Sequence, residues 1–273
     1  MSANGFILIT GALGGLGSAL ARECARRGYD LFLTDQLANG EEFAANLARL
    51  YGIQVRYAAC QLTSAEERSG LLENFAQQGL RFQGLMNVAG RDFEGAFLSR
   101  TRREVTHLSE LMITANLEIT HAVLALRQPD TRFMLVNVGS LAAFFPMPYK
   151  AVYSSTKRFL LNFTLALREE MKDYGNALIL CPAGLPTHAA SIEKMKAQGF
   201  WGRITMSDTA VVARRTLDLV QRGRAVYVPG MVNQLFAWLS GWLPPSLLTW
   251  YLGRRWRSGN ILDAVEKSPL EGV

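Results

Sequence analysis

Phe6-Ile-Leu-Ile9, running into Thr10-Gly-Ala-Leu-Gly-Gly-Leu-Gly17, is the stretch whose reading decides the fold. Four apolar residues make a short buried strand, and the glycines turn the chain sharply into a helical stretch, Ser18–Arg27, closed by Gly28. Glycine brings the backbone close to a bound group with no Cβ in the way. The helix that follows offers unsatisfied N–H groups and a partial positive charge, a setting for a pyrophosphate. The glycines at 11, 15 and 17 follow a G-x-x-x-G-x-G step, not G-x-G-x-x-G.

Outward from this unit the pattern repeats. Strands are predicted at Asp30–Thr34, Gln54–Ala59, Gly84–Val88, Phe133–Val138, Ala177–Leu180 and Ala225–Val228. Between them fall helical stretches at Glu41–Tyr51, Ala65–Gln78, about Arg103–Leu126, within Tyr149–Tyr174, and at Ser207–Gln221. Short, continuously apolar strands alternating with helices mean an α/β fold, doubly wound, its parallel sheet covered by helices on both faces. With 273 residues, 49% apolar and 19% charged, the chain suits one large domain and is neither disordered nor a coiled coil. Residues 1–230 read as that single domain and 231–273 as its C-terminal helical appendage. The stretch Thr187–Arg203, after a proline-rich turn, reads as a flap.

Asp35 stands 18 residues beyond Gly17, just after the second strand. An acid there accepts hydrogen bonds from a ribose 2′-hydroxyl and repels a 2′-phosphate. No Arg or Lys occupies 36 or 37, and none precedes Gly15 in the loop, so NAD is expected over NADP. Tyr153 and Lys157 are four apart on one helix and share a face, with Ser140 at the end of the preceding strand. A neighbouring ammonium is expected to lower the tyrosine pKa by roughly 1–3 units, toward the range of general acid–base work.

In these residues the chain resembles the short-chain dehydrogenase/reductase family over about 5–230. The resemblance rests on the Thr10–Gly17 loop, Asn87-Val-Ala-Gly90, Asn116 and Ser140. It is completed by Tyr153 thirteen residues beyond Ser140, Lys157, and Pro182-Ala-Gly-Leu-Pro-Thr187. It implies a Rossmann domain transferring a hydride between NAD(H) and a secondary alcohol or ketone. Tyr153 would be the proton donor or acceptor, and Lys157 would hold the nicotinamide ribose and tune Tyr153. Ser140 would polarise the substrate oxygen, and Asn116 would support a water relay to Lys157. Gly11, Leu13, Gly14, Gly15, Leu16 and Gly17 would hold the phosphates. Asn87, Ala89 and Gly90 would line the adenosine side with Gln61 and Leu62. Pro182, Gly184 and Leu185 would lead to Thr187 on the carboxamide. The family's second Asn is Val88 here, its adenine-contacting acid is Gln61, and Ala183 replaces a Gly. The resemblance further implies a homodimer or homotetramer through the helices carrying Asn116 and Tyr153.

A catalytically idle NAD(H) sensor or scaffold has no use for an intact Tyr153 and Lys157. A methyltransferase on a related sheet has none for Ser140 or Tyr153. His107, His121 and His188 lack partners at ligand spacing, so no metal is expected. The net charge of +6 reads as solubility charge, and without aromatics interleaved among basic residues no nucleic acid is expected. Cys24, Cys60 and Cys181 form no disulfide framework, which suits a reducing cytoplasm. The run Gly5–Ala21 lacks the basic start of a signal peptide. Phe93, Phe97, Phe144, Phe145 and Met147 flank the motifs and suggest an apolar substrate.

The tail carries a second signal. Met231, Leu235, Trp238, Leu239 and Trp242 recur at helical spacing, opposite Asn233, Gln234, Ala237 and Ser240. Residues 231–243 are too few to cross a bilayer, and Pro244-Pro245 end them. The stripe either covers the domain or a second subunit, or it lies on a membrane or roofs the substrate entrance. Tryptophan beside Arg254-Arg255-Trp256-Arg257 favours an interface, so reversible, salt-sensitive binding to anionic vesicles is expected.

Overall fold

The computed structural model describes residues 5–92, 94–183 and 208–258. Seven strands form one sheet: β1 (Phe6–Thr10), β2 (Leu31–Asp35), β3 (Val55–Ala59), β4 (Phe82–Asn87), β5 (Phe133–Val138), β6 (Gly175–Leu180) and β7 (Val226–Tyr227). Their order is β3-β2-β1-β4-β5-β6-β7, and every pairing is parallel. The chain winds outward from β1 on one side and from β4 on the other. The sheet therefore has a switch point between β1 and β4, beyond whose carboxyl ends such folds bind ligands.

Between the strands lie α1 (Gly15–Arg26), α2 (Gly40–Tyr51), α3 (Ala65–Gln77), α4 (Arg102–Ser109), α5 (Ala115–Ala125), α6 (Ala151–Glu170) and α7 (Thr209–Gln221). Alternation along β1 builds two cores at once. Ile7 and Ile9 join Leu16, Leu20 and Leu217 on the face of α1, α2 and α7, whereas Phe6 and Leu8 join Phe75, Phe82 and Ile119 beneath α3 and α5. The doubly wound reading of the sequence holds, with shifted boundaries. The first helix begins at Gly15, not Ser18, because Gly14 rather than a polar side chain is its N-cap. Asp35 is the last residue of β2, paired with Ala59, instead of the residue after it. β4 starts at Phe82 and β6 at Gly175, earlier than the apolar runs alone suggest.

The predicted long helix at 103–126 is interrupted. Between α4 and α5, Glu110–Thr114 forms a turn of π-helix. Such turns shift the facing of whatever follows and are frequent beside functional residues. Here it immediately precedes Asn116.

A buried polar ladder crosses the sheet near the carboxyl ends of its strands. The Asn87 amide of β4 donates to Thr120 Oγ1 of α5 (3.0 Å) and to Asn137 Oδ1 of β5 (2.9 Å). The Asn137 amide donates in turn to Thr164 Oγ1 of α6 (2.8 Å), whose hydroxyl donates to the Leu160 carbonyl. Thr10 Oγ1 at the end of β1 accepts from the backbone N–H groups of Val88 and Ala89. All these side chains are buried, where an unmade hydrogen bond costs about 1–3 kcal/mol. The ladder fixes α5 and α6 to the same two strands.

At the other end of α1, an ion-pair network ties it to α7. Glu23 accepts from Arg26 and Arg27, and Arg27 reaches Asp218 of α7 at 2.7 Å. The hydrogen bond from Arg26, opposed by burial and reinforced by Arg27, holds the Glu23 carboxyl down at about 2. A depressed carboxylate stabilises the fold above its unfolded pKa and loses that contribution as pH falls through the folded value. Glu23→Gln is therefore expected to cost about 1–3 kcal/mol in urea unfolding at pH 7. The gap to wild type should close between about pH 4.5 and 2. A gap that persists unchanged to pH 2 would contradict the network.

Candidate active site

The phosphate loop has the shape its sequence implies. Gly11 has φ +62°, and a Cβ there would fall 2.8 Å from the Ala89 Cα; one on Gly17 would fall 2.0 Å from the Gly11 carbonyl oxygen. These two glycines let the loop close on β4 and on its own helix. Leu16 and Gly17 are buried, and Leu16 packs into the core under α1, while Leu13, Gly14 and Gly15 keep partial access to solvent. Helix α1 has neither a capping side chain nor an acid in its first turn. By contrast, α3 is capped by Ser64 and α4 by a Thr101–Glu104 capping box. The uncapped first turn of α1 thus presents N–H groups and positive dipole suited to an anion.

Asp35 lies beside this loop and holds it: the Leu13 N–H donates to Asp35 Oδ2 at 3.0 Å. Beyond it, the Tyr57 hydroxyl donates to the Leu37 carbonyl. Gln61 points its amide at Gln36 Oε1 (3.3 Å), and its backbone N–H donates to Glu67. Leu62 is buried, and its carbonyl accepts from Arg68, a buried guanidinium that also meets Glu118 on α5 at 2.5 Å. Asn87, expected on the adenosine side, ends β4 as a buried residue. Its side-chain amide is committed to the buried ladder, which leaves Ala89 and the exposed Gly90 nearer the surface. Pro182 is buried at the end of β6, its carbonyl accepting from the Leu141 N–H. Gly184, Leu185 and Thr187 lie outside the described residues, as do His188, Phe93 and the flap expected at Thr187–Arg203.

Ser140, Tyr153 and Lys157 come together beyond β5. Ser140 follows the strand and caps a single 3₁₀ turn, Leu141–Phe144, its hydroxyl accepting from the Ala142 N–H at 3.1 Å. Tyr153 stands in the first turn of α6, close enough to Ser140 for that side chain to act to lower its pKa. One turn on, the Lys157 ammonium lies 5.8 Å from the centre of the Tyr153 ring and donates to the Val138 carbonyl at 2.7 Å. Asn116 is buried on α5, and its Oδ1 has no hydrogen-bond partner among the described residues. A buried acceptor left unpaired in this way is suited to a water or a ligand group.

The electrostatics correct one expectation. Lys157 was expected to lower the Tyr153 pKa; instead burial, helped by the Asp92 carboxylate, raises it to about 12 against the opposing influence of Ser140. Burial also depresses the Lys157 ammonium to about 8, so this cation is itself under strain. The sequence reading missed a second cation. Lys150 Nζ lies 5.5 Å from the Tyr153 ring and is held by Asp92 (3.0 Å) and Glu94 (2.5 Å). Burial acts against the Lys150 ammonium, yet the two carboxylates hold its pKa above the ordinary value. The only hint of this cluster in the sequence is Asp92 and Glu94, a few residues past Gly90.

Beside the site, a cleft of about 630 Å³ lies between Phe97, Tyr149 and Val152 on one side and Thr249 and Trp250 of the tail on the other. None of the four candidate catalytic residues lines it; Ala151 and Val152, which do, lead directly into Tyr153. Tyr149 adopts a left-handed φ of +63° and its carbonyl accepts from the Gly95 N–H. A bulky residue held there is strained backbone of the kind found at functional loops. Of the apolar residues read as a pocket, Phe97 lines this cleft, whereas Phe144 packs into the core under α6.

A parallel sheet with a glycine-turned first helix and a Ser–Tyr–Lys cluster beyond β5 defines a nucleotide-binding α/β domain with acid–base equipment. The chain belongs to the short-chain dehydrogenase family: the family profile described as short chain dehydrogenase matches residues 5–197. It is 30% identical over 171 residues to a very-long-chain 3-oxoacyl-CoA reductase of Coprinopsis cinerea, covering 62% of this chain and 50% of that one. The chain spans about half the length of the curated relatives first matched. Among solved structures it resembles the bulky-bulky ketone specific alcohol dehydrogenase from Comamonas testosteroni, with TM-score 0.73 and 20% identity over 98% of this chain and 96% of the other. It also resembles a short-chain dehydrogenase from Sphingobium yanoikuyae in complex with NADPH, with TM-score 0.70 and 22% identity over 98% of both chains.

The burial of Lys157 has a measurable consequence. A lysine with a depressed folded pKa destabilises the fold at every pH below that value, and the penalty fades as pH rises from about 8 to the unfolded value near 10.4. Lys157→Met is therefore expected to be more stable than wild type by about 1–3 kcal/mol at pH 7. The advantage should shrink above pH 8 in denaturant titrations. A variant less stable at pH 7 would show that the ammonium is not under a desolvation penalty.

Proposed function

We propose that this protein is an NAD(H)-dependent oxidoreductase that interconverts an apolar ketone and its secondary alcohol. The observation that carries the reading is the convergence of Ser140, Tyr153 and Lys157 beyond β5, with Lys157 beside Gly90 and the glycine loop packed on the neighbouring Ala89. The bound dinucleotide supplies or accepts the hydride; the chain supplies orientation and the proton.

In the reductive direction, Tyr153 gives its phenolic proton to the carbonyl oxygen as the carbonyl carbon is reduced. Ser140 donates a hydrogen bond to the same oxygen and polarises it. Raised to about 12, Tyr153 holds its proton throughout the neutral range, which suits an acid. Lys157 binds the nicotinamide ribose, and the Lys150 ammonium, 5.5 Å from the ring centre, favours the phenolate left behind against the opposing Asp92 and Glu94 carboxylates. Asn116, with its unpaired Oδ1, holds a water that returns a proton toward Lys157. In the oxidative direction the same groups run in reverse, with Tyr153 as base.

The cradle fits a dinucleotide on three observations: the close-packed glycines, the uncapped α1, and a carboxylate at the end of β2. Asp35 favours NAD because a 2′-phosphate would meet both its charge and the loop it holds. On this reading Ala89, Gly90, Gln61 and Leu62 border the adenosine side, and Thr187, outside the described residues, is assigned to the carboxamide by the family resemblance alone. For the substrate, the relative named above acts on very-long-chain 3-oxoacyl groups, and the cleft at Phe97 and Trp250 is largely apolar. A long-chain 3-oxoacyl thioester is therefore the first substrate to try, followed by bulky ketones.

Titration by nicotinamide fluorescence should show NADH bound at least about tenfold more tightly than NADPH, or about 1.4 kcal/mol, with Asp35→Ala narrowing the gap. Equal or reversed affinities would overturn the cofactor assignment. With any ketone turned over, Tyr153→Phe should keep NADH binding and lose at least about 10²-fold in kcat. Unchanged turnover would remove Tyr153 from its role.

A further inference from the structure

The tail turns its apolar stripe away from the domain. It forms two helices, α8 (Met231–Ser240) and α9 (Pro245–Ser258). The side of α8 that faces the domain is the small and polar one. Asn233 is 1% exposed and donates to the Pro229 carbonyl, Gln234 donates to the Val228 carbonyl, and Ala237 packs against the core under α6. The apolar stripe faces outward: Met231 is 86% exposed, Trp238 59% and Trp242 74%. On α9, Leu247, Trp250 and Tyr251 are exposed as well. More than half of the exposed large apolar side chains among the described residues fall between Met231 and Tyr251. Single exposed leucines are ordinary on a soluble surface, but a contiguous patch marks an interaction site.

We infer that α8 and α9 form a docking surface for an anionic lipid bilayer. Charge selects this occupant. Residues 231–258 contain Arg254, Arg255 and Arg257 and no Asp or Glu, and the chain as a whole carries +6. A second copy placed on the same patch by two-fold symmetry would set this basic, acid-free stretch of sequence against itself. Lipid phosphates supply the missing anions, and the headgroup boundary suits tryptophan and tyrosine, whose rings are apolar with a polar edge. Arg254 already lies over the Trp250 ring, 5.8 Å from its centre, at the end where the basic residues begin.

Length decides the depth. At 1.5 Å per residue, α8 is about 15 Å long and α9 about 21 Å, against about 30 Å of hydrocarbon. No helix among the described residues is long and apolar enough to cross a membrane. These helices therefore lie in the boundary with the apolar face down. Because Thr249 and Trp250 also wall the cleft beside Tyr149 and Val152, docking brings that cleft to the lipid boundary.

The test is co-sedimentation of the full chain with large unilamellar vesicles, either pure phosphatidylcholine or phosphatidylcholine with 30% phosphatidylglycerol (about one lipid in three anionic). Binding should be at least about tenfold tighter to the anionic vesicles, should weaken in about 0.5 M NaCl, and should blue-shift tryptophan emission. Trp238→Ser with Trp242→Ser should lower it at least about tenfold at unchanged thermal melting. Arg254→Gln, Arg255→Gln and Arg257→Gln together should remove the preference for anionic lipid. No binding by the full chain, or binding untouched by both sets of substitutions, would overturn the inference. So would a dimer in light scattering that the tryptophan pair dissolves while vesicles are ignored. None of these readouts uses a nucleotide, so they stand apart from the proposed activity.

Discussion

The hydrogen bonds that Asn87 and Asn137 make across the sheet are the constraint on which the site depends. Two amides buried between β4 and β5 would each cost several kcal/mol if unpaired, so α5 and α6 are held where Thr120 and Thr164 can answer them. Helix α5 carries Asn116, and α6 carries Tyr153 and Lys157. Apolar packing alone tolerates small slides of a helix over a sheet. A directional bond of 2.8–3.0 Å does not, and the acid–base groups inherit that precision.

The site held in this way is buried and electrically tense. Tyr153 resists losing its proton and Lys157 resists holding its charge, both through burial. Lys150, Asp92 and Glu94 form a second charged shell around the same ring, and its net sign is negative. A phenol so placed favours the neutral, proton-donating form until positive charge arrives from a bound partner.

What was legible in the sequence was local. The glycine loop, the strand–helix rhythm and the i, i+4 placement of Tyr153 and Lys157 are each fixed by neighbours along the chain, and they stand where they were expected. The π turn before Asn116 was not legible, because Glu110–Thr114 carries no Pro or Gly to mark it. The ladder was hidden because Asn137 and Thr164 look like ordinary strand and helix residues until the topology brings them together. Lys150 was missed for the same reason, since its carboxylates lie about sixty residues earlier. In the tail, periodicity gave the helix and its two faces, but it carries no information about which face turns inward. There, two side-chain amides that reach Val228 and Pro229 outweigh the hydrophobic rule.

The account rests on α5 and α6 being coupled through the ladder instead of being docked independently. A double-mutant cycle between its ends, Thr120→Val on one helix and Thr164→Val on the other, reads that coupling in urea unfolding. The two hydroxyls do not bond each other; they are joined only through Asn87 and Asn137. The account predicts an interaction energy of at least about 0.5 kcal/mol between them. Strict additivity, with the two losses summing within about 0.3 kcal/mol, would contradict it.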